Sequence, residues 1–203
     1  MKAIKSILVP ALLLCCWSCT RVHSTADLQQ YVLDPGNGLS KSRTIGPVDV
    51  KVTYRPTDLL VRQSLSEAAA PGEIDSLRKG FGQQEYFILS IAANGKEIET
   101  YALQQTAFGE RVQTLAFGMG EYVRIITDRQ DTIPVSDYFY QRTYGVGKTS
   151  DFLMAFEAEK LRRSEHFRFQ IDEFGLGTGD QNFKFETRHL DQIPKLQPDE
   201  IKQ

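Results

Sequence analysis

Apolar and polar residues alternate strictly over Val48-Asp49-Val50-Lys51-Val52-Thr53-Tyr54. That period of two predicts a strand with one face buried and one wet, and Pro56 ends it. The same alternation recurs at His166–Asp172, apolar at Phe167, Phe169 and Ile171, and at Asn182–Glu186, apolar at Phe183 and Phe185. Phe152, Met154 and Phe156 alternate with Leu153 and Ala155. Tyr86–Ala92 and Tyr122–Thr127 are β-rich runs. Asn94-Gly95 is a favoured pair for a tight hairpin, predicting a return strand from Glu97 to Leu103. Thr132–Tyr140 reads as a further strand, and Pro134 confines it to an edge or a bulge. Helical spacing is rarer: Asp58–Ala70, stopping at Pro71-Gly72; Ile74, Leu77 and Phe81; and Glu110–Phe117. About seven short strands and two or three short helices predict a mainly β fold, an antiparallel sandwich-like sheet, with α+β as the alternative.

Residues 20–47 are polar and carry Pro35-Gly36-Asn37-Gly38 and Gly46-Pro47, so they read as a tether. Residues 48–190 form the single domain. Residues 191–203, with Pro194 and Pro198, read as a loose tail.

The first eighteen residues have a different character. Lys2 and Lys5 precede a short apolar run, Ile7–Leu14. A membrane-spanning helix needs about 20 apolar residues, so this run reads as an export signal peptide. No later stretch reaches spanning length. All three cysteines, Cys15, Cys16 and Cys19, lie within residues 1–19. An exported domain with no cysteine of its own has no disulfides and is held by its core.

Cys16-Trp17-Ser18-Cys19 resembles a bacterial lipobox, with small Ser18 directly before Cys19. In that family the cysteine thiol receives a diacylglycerol, the peptide is cut before it, and the new amine is acylated. The resemblance covers residues 1–19, and Cys16 and Trp17 depart from its usual pattern. It implies a chain lipid-anchored at Cys19. The mature chain would lose Lys2 and Lys5, leaving 22 basic against 26 acidic residues, net −4. Multiple acyl chains give stable attachment where one does not. Thr20 follows the cysteine and residues 20–24 carry no acidic cluster, which implies the periplasmic face of the outer membrane. Over residues 48–190 the chain is similar to small uncharacterised mainly-β lipoproteins of Bacteroidota, a likeness that implies no activity.

The 203 residues are 41% apolar, 25% charged and 10% aromatic, ordinary for one globular domain, and the net charge of −2 argues against nucleic-acid binding. Gly145-Val146-Gly147-Lys148-Thr149 resembles the end of a phosphate loop, but Arg142 stands where its first glycine belongs. Gly175, Gly177 and Gly179 mimic a dinucleotide fingerprint with no helix after it. No cofactor follows from either. Asp172, Glu173 and Asp180 are candidate calcium ligands around the glycine loop 175–180, although calcium takes six to eight oxygens. His23, His166 and His189 have no metal-ligand spacing. No nucleophile elbow occurs, and no catalytic residue is identified. Asp172 with Glu186 is a candidate carboxylate pair for glycan hydrolysis.

Tyr138, Phe139, Tyr140, Arg142 and Tyr144 form an aromatic cluster. In a strand Tyr138, Tyr140 and Arg142 share one face. With Phe139 inward they are an exposed interaction surface for a protein partner or a sugar; with the tyrosines packed they are a cross-strand ladder. The expectation is a non-enzymatic accessory or binding lipoprotein. A lipid-anchored glycan hydrolase and a calcium- or glycan-binding module are the alternatives.

Overall fold

The computed structural model describes residues 22–66, 70–99 and 108–202. The signal segment, Cys19 and the end of the expected return strand lie outside the described residues.

Ten strands form two antiparallel sheets among the described residues. The first runs in the order β1 (Ser40–Ile45), β2 (Val48–Arg55), β3 (Gln84–Ala93), β8 (Ser150–Glu157) and β7 (Asp137–Gln141). The two-residue strand β4 (Lys96–Glu97) also pairs with β3. The second sheet runs in the order β10 (Gln181–Glu186), β9 (His166–Ile171), β5 (Val123–Thr127) and β6 (Thr132–Pro134).

Alternation decides which faces meet. Val48, Val50, Val52 and Tyr54 of β2 are buried, as are Phe87, Leu89 and Ile91 of β3 and Phe152, Met154 and Phe156 of β8. Opposite them stand Phe167, Phe169 and Ile171 of β9 and Phe183 and Phe185 of β10. Phe87 is the pivot: its ring contacts Phe167, Phe169 and Phe185 of the other sheet at centroid distances of 5.6–5.8 Å. Fully burying one such side chain is worth roughly 1.5–3 kcal/mol. The architecture is therefore an antiparallel sandwich.

Pro134 does more than mark an edge. The expected strand 132–140 is two strands: β6 ends the second sheet at Pro134, and the chain crosses to the first sheet as β7. Asn94 and Gly95 both take positive φ, 52° and 71°, as a tight hairpin requires. The return strand stops at Glu97, and the chain turns helical at Ile98.

The helices are more numerous than expected. Residues 20–47 are not a tether where the structure describes them. Helix α1 (Thr25–Leu33) is capped by Ser24, whose Oγ accepts the Asp27 N–H at 3.1 Å. Leu28, Val32 and Leu39 are buried, and Ser40–Ile45 completes the first sheet. Helix α2 (Thr57–Ser64) ends six residues before Ala70, and α3 (Glu73–Phe81) follows. The expected weak helix 110–117 is a helix from Phe108 to Gln113 running into a π turn, Thr114–Gly118, and a last turn to Tyr122. The tail is ordered too. Pro198–Ile201 is a helical turn with a Gln197/Glu200 capping box, and Leu196 and Ile201 are buried. Leu28, Leu59, Val61, Ile74, Leu196 and Ile201 form a second small core, where Val22 also packs.

Candidate functional site

The 138–144 cluster sits on β7 with its faces reversed from the exposed-surface expectation. Phe139 is 64% exposed, whereas Tyr138 and Tyr140 turn toward the core. The Tyr138 hydroxyl accepts the Met119 N–H at 3.2 Å. Tyr140 stacks on Phe152, with centroids 4.6 Å apart and planes 15° apart. Its hydroxyl donates to buried Glu99 at 2.8 Å, and Arg142 Nε lies 2.9 Å from the same carboxylate. Burial first, then Glu99, pushes the Tyr140 hydroxyl above its ordinary range, so it stays a donor. Arg142 lies 4.6 Å from the Tyr144 ring, which is exposed. These tyrosines form a ladder under the sheet edge.

The phosphate-loop mimic holds an anion of its own. The N–H groups of Gly145 and Gly147 donate to the buried Glu97 carboxylate at 2.6 and 3.0 Å. A Cβ at Gly147 would stand 2.4 Å from Glu97 Oε1, so a side chain there would push the carboxylate out of this position. Backbone N–H groups gathered in a turn make such an anion nest.

The second glycine loop repeats the device. One Glu173 oxygen accepts the N–H groups of Gly175, Leu176 and Gly177, and the other accepts Gly179 and the Thr178 hydroxyl. Burial raises the Glu173 carboxyl, but these N–H groups outweigh it and hold it below the usual range. Asp172 is paired with Arg124 at 2.7 Å, and Asp180 accepts the Glu173 N–H at 2.9 Å. The calcium candidates thus face donors rather than converge on a cation, which needs oxygens turned inward. Among the described residues no three His, Cys, Asp or Glu side chains are grouped to hold a metal. Asp172 and Glu186 stand at opposite ends of the β9–β10 hairpin, where Ile171 faces Gln181 and His166 faces Glu186. Six steps of strand separate them, roughly 20 Å, too far for a hydrolytic pair. Glu186 is engaged by Lys184 at 3.2 Å.

A further concavity lies elsewhere, where β2 runs into α2. It is a cleft of about 450 Å³ bordered by Tyr54, Asp58, Arg78, Arg162, Asp191 and Ile193. Buried Glu85 joins two of these residues, taking the Tyr54 hydroxyl at 2.6 Å and Arg162 Nε at 2.5 Å. Arg162 also bonds Asp191. Burial works against the Arg162 charge, but Glu85 outweighs it and raises the guanidinium above its ordinary value. Tyr54 is driven well above its range by burial and then by Glu85, so it is a neutral donor. Beside them Arg78 holds Asp58 through two bonds, 2.7 and 3.0 Å, and donates to the Leu196 carbonyl at 2.6 Å. Leu196 N–H donates back to Asp58 at 3.0 Å. Sequence reasoning missed this cleft, because single charged residues on strands and helices read as solvated.

No family model and no curated protein matches the chain. Among solved structures, one similar chain is a protein of unknown function from Burkholderia pseudomallei K96243, 8% identical, with 83% of this chain and 88% of that chain covered and a TM-score of 0.41.

Proposed function

We propose that this chain is a lipid-anchored accessory or binding protein of the bacterial cell envelope rather than an enzyme. The observation that carries the reading is Cys16-Trp17-Ser18-Cys19 behind a basic and apolar leader, with no cysteine anywhere after it. Export followed by acylation of Cys19 accounts for that distribution. Thr20 after the cysteine and the lack of an acidic cluster favour the periplasmic face of the outer membrane.

The state of the buried carboxylates supports a binding role. Asp58, Glu85, Glu97 and Glu99 are each taken up by two or more donors of the chain itself. A general acid or base must keep an oxygen within reach of a substrate proton. Carboxylates committed to arginine, tyrosine and backbone N–H groups serve better as struts.

Metabolic labelling with an alkyne-tagged palmitate, followed by membrane fractionation, tests the reading. The native chain incorporates label and sediments with the outer membrane. Cys19→Ala incorporates none and moves to the soluble fraction. An unlabelled native chain, or a Cys19→Ala chain still tightly bound, refutes the anchor.

A further inference from the structure

We infer that the anchor holds the domain flush against the lipid headgroups, through the face made by the start of α1 and the C-terminal turn, so that one side of the sandwich always points at the membrane. This rests on acylation of Cys19. Three peptide units separate Cys19 from Val22, a reach of at most about 11 Å. The fold has already begun at Val22, which packs on the second core beside Leu28 and Ile201. His23 is tied on both sides: its N–H donates to Asp27 at 3.2 Å, and its Nδ1 lies 3.0 Å from Glu200 Oε1. Ser24 then caps α1.

Reach against size decides the orientation. A domain of this length has a radius of gyration of roughly 16 Å, hence a diameter near 40 Å. An 11 Å leash is shorter than the domain's radius, so the domain cannot turn its far side to the bilayer. A free tether over residues 19–47 would have reached up to about 95 Å and left the orientation open.

Near the anchor Asp27, Glu73, Asp199 and Glu200 stand against Lys202 and, next to Val22 in the sequence, Arg21. That acidic excess gives no attraction to anionic headgroups. The acyl chains alone hold the contact. The far end of the sandwich is equally defined. Strand β2 leads at its Arg55 end into α2, whose Leu59 and Val61 share the core with Val22. Its Val48 end, beside the Asn94-Gly95 turn, lies roughly 23 Å further along the strand.

The mature chain has no cysteine besides Cys19, so an introduced cysteine is a unique labelling site. Exposed Lys202 marks the near face and exposed Lys96 the far end. The acylated full-length protein, carrying Lys202→Cys or Lys96→Cys with a fluorophore, is reconstituted into phosphatidylethanolamine/phosphatidylglycerol vesicles containing a headgroup-spin-labelled lipid. Quenching at position 202 is expected to exceed that at 96 at least twofold. Equal quenching on vesicles that carry the protein by flotation overturns the flush orientation while leaving the anchor intact. Failure to float overturns the anchor, and the orientation with it. Twenty Gly/Ser residues inserted between Thr20 and Arg21 should abolish the difference without loss of flotation. A difference that survives the insertion shows that the face adheres by itself and overturns the leash argument.

Discussion

Replacing Tyr140 tests whether the 138–144 aromatics are scaffold or free surface. The hydroxyl donates to Glu99, whose carboxylate is buried, and a hydrogen bond to a charged group contributes about 1.5–3 kcal/mol. Tyr140 is only half buried, so Tyr140→Phe should cost toward the lower end, about 1–2 kcal/mol. Tyr140→Ala also loses the stack on Phe152, worth about 0.5–1.5 kcal/mol beyond area, together with the area itself. About 3 kcal/mol in all is expected, a fall in Tm of roughly 6–12 °C for a domain of this length. Phe139→Ala is the internal control, since its 64% exposure predicts a change within about 0.5 kcal/mol. Urea unfolding of the Cys19→Ala chain, followed by circular dichroism, measures all three with the slope m as a check on compactness. The reasoning fails if Phe139→Ala destabilises by more than 1.5 kcal/mol while Tyr140→Ala leaves the midpoint unmoved, because β7 would then present its other face to the core.

Two further outcomes are expected. Glu173 has a folded-state pKa below its unfolded value, so its contribution is present above the ordinary carboxylate range and is lost as pH falls through the depressed value. Amide exchange at Gly175, Gly177 and Gly179, corrected for intrinsic rate, should accelerate selectively below about pH 4, and protection unchanged down to pH 2 refutes the nest. Arg162→Met leaves the Glu85 charge buried with only Tyr54 as donor and should cost about 3 kcal/mol. Adding Glu85→Leu should recover part of that, whereas additive losses would deny the coupling.

Strands were legible in the sequence because a half-buried sheet writes its burial as a period of two. At β2, β9 and β10 the alternation and the buried face coincide residue by residue. For β7 the same period names two faces without saying which is inward. Only the company of Phe152 and Glu99 decides that. The N-terminal segment reads as a tether since Leu28, Val32 and Leu39 are widely spaced among polar residues, each packing on a core built from distant parts of the chain. The tail shows the same pattern: Leu196 and Ile201 are isolated apolar residues whose partners, Leu59 and Ile74, are more than a hundred positions away. The cleft was illegible for a different reason. Glu85, Arg162 and Asp58 acquire meaning only through partners brought in by topology, and nothing in the local composition marks a carboxylate that will be buried.

The two glutamate-filled glycine loops bear on how a domain with no cysteine after Cys19 stays closed. Glu97 ties positions 48 and 50 residues away in sequence, the separation at which a cross-link would join distant segments. A carboxylate clasp of this kind forms as the polypeptide folds, with no oxidant and no isomerase to correct a wrong pairing. It is indifferent to thiols. Its cost falls on sequence: the clasping positions must expose their backbone, so a side chain at Gly147 would displace Glu97 while exposed Val146 between the two donors is free to change. Drift in that loop should therefore concentrate between the donors and spare the glycines, leaving a surface that varies over an invariant backbone grip.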